Sequence, residues 1–272
     1  MDPLLPRYAR ILRLSSVAFF NATPLVWGLD HDPGISLRFG VPSALLGDLR
    51  SGQADVALLP VIDYQRMPDL RLLRATGIGC DGPTLTVRLF SRSPIAGTRV
   101  LAVDGDSHTS VALAQIVLFK CFGLRPDVIS LDQRSDQPGE TLLLIGDKVV
   151  TDEPAGYPHQ LDLGQAWKEL TGLPFVFALW TARPDVELPD VDLNVLSERL
   201  IASLDAGLRH VEDLIVTHAV PRGWPAETAR RYLTEHLKFT IGDPQVAAIS
   251  LFHELAGELG LIETPVQKLR FA

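Results

Sequence analysis

Two segments of this chain set polar side chains where the backbone has to change direction. Phe19-Phe20-Asn21-Ala22-Thr23-Pro24-Leu25 places one amide between aromatic residues and a proline, directly after a stretch that reads as a strand. Asp104 to Gln115 carries hydroxyls at Ser107, Thr109 and Ser110, where a strand gives way to a helix. The unpaired amides of a first helical turn, the helix dipole and such hydroxyls can together hold a carboxylate. In open α/β sheets, ligands sit outside the carboxyl ends of strands, and both segments fall there. Each also has a plainer reading, Asn21 as a turn or helix cap and the serines and threonine as an ordinary N-cap.

Two further segments carry candidates. In Gly79 to Arg92, alternation along a strand over Thr84–Ser91 puts Thr84, Thr86 and Arg88 on one face and Leu85, Val87 and Leu89 on the other. Arg88 is the cation embedded in that strand, and a planar guanidinium suits a carboxylate, although a salt bridge to an acid on the other lobe is equally open. Leu143 to Val150 ends a strand at Gly146-Asp147. Gly146 lets a ligand approach the backbone. Asp147 is a general base or, more in keeping with its position, a helix cap. His108 has no second histidine or carboxylate at metal-ligand spacing, so no metal site is expected and a surface or supporting role is read for it. P-loop, GxSxG and HExxH motifs are absent, which removes the usual support for phosphoryl-transfer, serine-hydrolase and zinc-protease chemistry.

The elements that must position these residues alternate between strand and helix. Strands are expected at Ile11–Val17, Ala54–Leu59, Thr84–Ser91, Arg99–Val103, Asp127–Ser130, Thr141–Ile145 and Phe175–Ala182, with helices at Pro42–Arg50, Ser110–Phe122 and Gly164–Thr171. From Leu193 the pattern is helical, at Leu193–His218, Ala226–His236 and Pro244–Leu259. Such alternation implies sheets with helices on both faces. Thr171 to Trp180 is apolar and aromatic and reads mostly as core, with Phe175, Phe177 and Trp180 able to reach a cleft. Gly79-Cys80-Asp81-Gly82-Pro83 and Arg183-Pro184-Asp185 look like hinges. The expectation is an α/β protein of two lobes, residues 1–90 with 184–272 forming one and 91–183 the other, closing on a small anion.

Bulk properties agree with a folded chain of that size. It has 272 residues, 46% of them hydrophobic and 21% charged, which suits two lobes better than one core. The net charge of −8 argues against nucleic acid. No apolar run reaches the ~20 residues of a membrane helix. The N-terminal residues, with Asp2, two prolines and Arg7, Arg10 and Arg13, lack the form of a signal peptide, so a cytoplasmic protein is expected. Cys80 and Cys121 are too few for a disulfide framework or a thiolate metal site, and Cys121 reads as core. Monomer and homodimer both stay open.

Taken together, Phe19–Leu25, Gly52 to Tyr64, Gly77 to Ser91, Ser107 to Gln115, Leu143 to Asp147 and Trp167 to Trp180 resemble the chorismate dehydratase family of the futalosine route to menaquinone. The resemblance covers most of residues 11–183, and the C-terminal helices fit it more loosely. It implies a type II periplasmic-binding-protein-like fold with two hinge crossings. The activity implied is that of a carbon–oxygen hydro-lyase, removing water from chorismate to give 3-[(1-carboxyvinyl)oxy]benzoate without a cofactor. On that resemblance Asn21 and Thr86 stand at the reacting ring. Ser107, Thr109 and Ser110 match the carboxylate-binding turn, and Gly146 and Asp147 the second-lobe strand end. Thr86 replaces a serine that the family generally has, and Arg88 interrupts a strand that is mostly apolar there. The rival reading is a non-catalytic cytoplasmic binding protein or sensor for a small carboxylate. A regulator's effector domain and the later naphthoate-forming enzyme of the same route are more distant alternatives.

Overall fold

The structure is a computed structural model that describes residues 11–103, 105, 107–131, 139–184 and 192–272. Its strands are β1 (Leu12–Val17), β2 (Ile35–Gly40), β3 (Val56–Pro60), β4 (Arg71–Cys80), β5 (Val87–Ser91), β6 (Val100–Val103), β7 (Asp127–Ser130), β8 (Thr141–Ile145), β9 (His159–Asp162), β10 (Phe175–Ala182) and β11 (Leu237–Thr240). The helices are α1 (Leu45–Arg50), α2 (His108–Phe122), α3 (Lys148–Thr151), α4 (Leu163–Thr171), α5 (Leu193–Arg209), α6 (Val211–Leu214), α7 (Ala226–Arg231) and α8 (Asp243–Glu258).

The strands form two mixed sheets. One has the order β11-β4-β10-β3-β1-β2 and the other β7-β6-β8-β5-β9. In the first, β1 runs parallel to β2 and β3, while β10 is antiparallel to both β3 and β4. In the second, β6 is parallel to β7 and β8, and β5 lies antiparallel between β8 and β9. The central strands β3 and β10 are buried at every position, as their continuous apolar runs require of strands covered on both faces. Trp167, Phe175, Phe177 and Phe252 interlock edge-to-face at ring separations of 4.7–6.2 Å, joining α4 and α8 to β10 in the main core.

The first passage between sheets lies between β4 and β5, as the glycine-rich Gly79–Pro83 segment implied. The second differs from expectation. Strand Phe175–Ala182 pairs with β3 and β4 in the first sheet, so the chain returns before it, between β9 and β10. The boundary expected at residue 183 therefore does not coincide with a passage between sheets. An apolar strand reads alike whichever sheet it joins, because its partners are remote in sequence.

The last helix, Asp243–Glu258, lies within one residue of its expected bounds, and the two runs before it are helical with interruptions. The run from Leu193 breaks at His210, Ile215–Ala219 and Tyr232–His236 are wound as π-helix, and Leu237–Thr240 is an edge strand on β4. Among the described residues no helix is long and apolar enough to cross a membrane. Cys80 is buried and its thiol is pushed far up by desolvation. Cys121 is exposed instead of lying in the core, and the two remain free thiols.

Candidate functional site

The loops at strand ends of both sheets meet around a cleft holding about 550 Å³ of empty space, mouth included. Its wall is mainly apolar, from residues such as Phe19, Leu58, Ile78, Val87, Ile145 and Phe177. Six polar side chains interrupt it: Asn21, Thr84, Thr86, Ser107, Ser110 and Tyr232. Among the described lining residues none is charged.

Asn21 is carried by a 3₁₀ turn, Phe20–Val26, that follows β1. Residue 19 occupies the N-cap position and no side chain caps the turn, so the capping role open to Asn21 is not the one it plays. Its Oδ1 is buried without a hydrogen-bond partner. A buried orphan acceptor is costly and calls for a donor on whatever fills the cleft.

Ser107 is the N-cap of α2, its Oγ accepting from the Ser110 amide at 3.3 Å and donating to Ser110 Oγ at 3.0 Å. Both line the cleft, at the positive end of a helix of 15 residues. Thr109 does not line it. It is fully buried, and its Oγ1 accepts from the Ile62 amide at 3.3 Å, tying α2 to the loop after β3. His108 bonds the buried Asp63 at 2.9 Å, beside Arg66, on that same loop. This turn is thus half ligand wall and half fastening to the other sheet.

Thr86 enters the cleft from an unusual piece of backbone. The Thr86 amide bonds the Thr84 carbonyl at 2.8 Å, and Leu85 between them has φ +68°. A three-residue turn with a positive-φ leucine is strained, by ~1–3 kcal/mol. Asp162 holds it. Its carboxylate accepts from the amides of Thr84 (3.0 Å) and Leu85 (2.8 Å), and also caps α4 through Gly164 (3.0 Å) and Gln165 (3.1 Å). The turn breaks the alternation expected over Thr84–Ser91, so that Thr84, Thr86 and Val87 all face the cleft. Arg88 does not. Its side chain lies at the β9 edge, bonding Gln160 at 3.1 Å with Nε 3.7 Å from Asp162. The expected cleft cation is therefore a partner of the clamp instead.

Gly146, with φ +73°, lines the cleft against Phe19, whose ring would stand 3.5 Å from a Cβ added there. Asp147 makes no side-chain cap to α3 and is not in the lining. It lies 3.7 Å from Arg222 and also meets Trp224 and the Phe20 backbone, a bridge from the β8 end to the other sheet's elements. Desolvation raises its pKa against the lowering effect of Arg222.

Tyr232 was not anticipated. It comes from the C-terminal π-helical turn, is 1% exposed, and places its hydroxyl 2.8 Å from Thr86 Oγ1. Its ring stacks on Trp224 at 5.0 Å, and Trp224 packs on Phe20 at 5.3 Å, so the aromatic group stands directly behind Asn21. Two sheets closing an apolar cleft with a helix N-terminus on one wall and amide and hydroxyl groups on the other define a small-ligand site of the periplasmic-binding-protein kind.

Similar solved structures share that fold. A protein from Archaeoglobus fulgidus superposes with TM-score 0.69 at 18% identity, over 92% of this chain and 98% of its own. The alkanesulfonate-binding protein SsuA from Xanthomonas axonopodis, bound to MOPS, gives 0.65 at 15%, over 94% and 95%. A Candida albicans protein described as having the generic periplasmic binding protein fold gives 0.56 at 14%, over 98% of both chains. The chain itself belongs to the menaquinone biosynthesis family, which it matches over residues 12–258. It is 29% identical to the chorismate dehydratase of Thermus thermophilus over 244 residues, 79% of this chain and 84% of that protein.

Proposed function

We propose that this chain dehydrates chorismate to 3-[(1-carboxyvinyl)oxy]benzoate, as a hydro-lyase of menaquinone biosynthesis. The observation that carries the reading is the pairing, within one apolar cleft, of the α2 N-terminus with the unpartnered Asn21 Oδ1 and the Thr86 hydroxyl. Family membership and the Thermus relative support it and do not favour a binding protein without catalysis.

In this mechanism Ser107, Ser110 and the first amides of α2 receive one substrate carboxylate. Charge that builds on it in the transition state is held by donors already in place. Asn21 Oδ1 accepts from the ring hydroxyl, and Thr86 orients it for departure. The ring hydrogen leaves to the substrate's own enolpyruvyl carboxylate, its electron pair forms the new double bond, and the carbon–oxygen bond breaks. The departing oxygen takes up a proton to give water. Aromatisation drives the step, and being redox-neutral it needs no electron carrier. Thr109 and Asp147 act by fastening the two sides together, and Gly146 by keeping the wall free of side chain. Asn21→Ala and Thr86→Val are each expected to lower kcat on chorismate by at least about tenfold. Parental rates in both would reject these roles.

A further inference from the structure

The hydroxyl of Thr86 has a direction, and Tyr232 supplies it. Tyr232 is fully enclosed, its Oη is 2.8 Å from Thr86 Oγ1, and the side chain of Asn21 stands nearby. Asn21 Oδ1 is without a hydrogen-bond partner, so it takes no hydrogen from the phenol. The phenol's own hydrogen then has one acceptor among the described residues, Thr86 Oγ1. Burial pushes the phenol pKa well up, so that hydrogen stays in place. Thr86, having accepted it, keeps its own hydrogen free to point into the cleft.

We infer that Tyr232 is a positioning residue of the elimination, the start of a one-way chain Tyr232 Oη–H → Thr86 Oγ1–H → departing ring hydroxyl. Such chains polarise each member in turn, so the last donor is stronger than an isolated hydroxyl. The donated hydrogen bond favours loss of the ring oxygen as water. It also accommodates threonine at position 86, since what the chain requires is the hydroxyl. The π-helical winding at Tyr232–His236 fits this role, since such local widenings often mark functional positions. The inference rests on the proposed dehydration.

The test compares kcat and KM on chorismate for parental protein, Tyr232→Phe, Thr86→Val and the double variant. Phenylalanine keeps the ring stack on Trp224. Tyr232→Phe is expected to lower kcat at least about tenfold with KM changed less than about threefold. The double variant is expected to be no slower than Thr86→Val, because the two residues act as one unit. A Tyr232→Phe protein with parental kcat, or losses that multiply in the double variant, overturns the inference. A second variant tests direction even if Tyr232→Phe folds poorly. In Asn21→Asp the carboxylate accepts from Tyr232 and reverses the chain, turning the Thr86 hydrogen away from the cleft. Adding Thr86→Val to that protein should then change kcat less than twofold, and a further tenfold loss would contradict the chain. If the parental protein leaves chorismate intact, the proposed dehydration fails; an active parent with an indifferent Tyr232 sinks the chain alone.

Discussion

Asp162 stands at the junction of fold and chemistry, and its replacement has a calculable effect. One carboxylate accepts from four backbone amides, two in the strained turn at Thr84 and Leu85 and two at the start of α4. Hydrogen bonds to a charged acceptor contribute ~1.5–3 kcal/mol each, and an N-cap about 1 kcal/mol. The four share two oxygens, so their contributions do not add in full. In Asp162→Asn one oxygen remains for the cap while an NH₂ group faces the Leu85 amide, for a loss of about 2–3 kcal/mol. Asp162→Ala removes the cap as well, for about 4 kcal/mol. Urea titration at pH 7 reads both. The same variants should lose activity beyond their loss of folded protein, because a relaxed Leu85 turn no longer aims Thr86. Arg88→Ala is the contrast: a partly exposed pair at 3.7 Å is worth less than about 1 kcal/mol, with the rate unchanged. An Asp162→Asn protein within 0.5 kcal/mol of the parent, by the ordinary scatter of surface changes (roughly ±0.5 kcal/mol), would refute the clamp.

Two other predictions concern the α2 terminus and the core. Ser110→Ala should raise KM about five- to tenfold with little effect on kcat, the loss of one hydrogen bond to a bound carboxylate, whereas Ser107→Ala should also lower stability by about 1 kcal/mol as the N-cap; steady-state kinetics beside thermal unfolding separates the two. His253 is buried between the Val61 carbonyl at 2.8 Å and Gln65 at 2.9 Å, and desolvation lowers its pKa from 6.5 to about 4. Between those values the unfolded chain binds a proton that the native state refuses, so stability rises with pH across the window and falls on acidification by about 3 kcal/mol. Replacing it as His253→Gln should flatten the stability profile between pH 4 and 6.5, and an unchanged slope would contradict the assignment.

How far the site could be read from the chain depends on what local pattern encodes. Asn21, Ser107 and Ser110 sit where strands end in polar turns, and strand-end placement is a property of sequence order. Gly146 was legible for the same reason. Arg88 was misassigned because Leu85 adopts a positive φ that leucine does not advertise, and the clamp responsible, Asp162, is 77 residues away in sequence from Leu85. Tyr232 carried no motif. Its position depends on a π-helical turn and on a stack with Trp224, neither of which leaves a periodic trace. The grouping of Trp224 and Tyr232 in an otherwise charged helical stretch is the one signal that could have drawn attention to it. Strand Phe175–Ala182 shows the same limit at the level of topology, since its apolar run is indifferent to which sheet receives it.

The central claim is that the cleft converts chorismate by loss of water. Purified protein incubated with chorismate, followed by ultraviolet absorbance and mass spectrometry, tests it most directly. The account predicts stoichiometric 3-[(1-carboxyvinyl)oxy]benzoate, one water lighter than chorismate and still bearing its enolpyruvyl group. Chorismate recovered intact, or an aromatic product that has lost pyruvate instead of water, would contradict it.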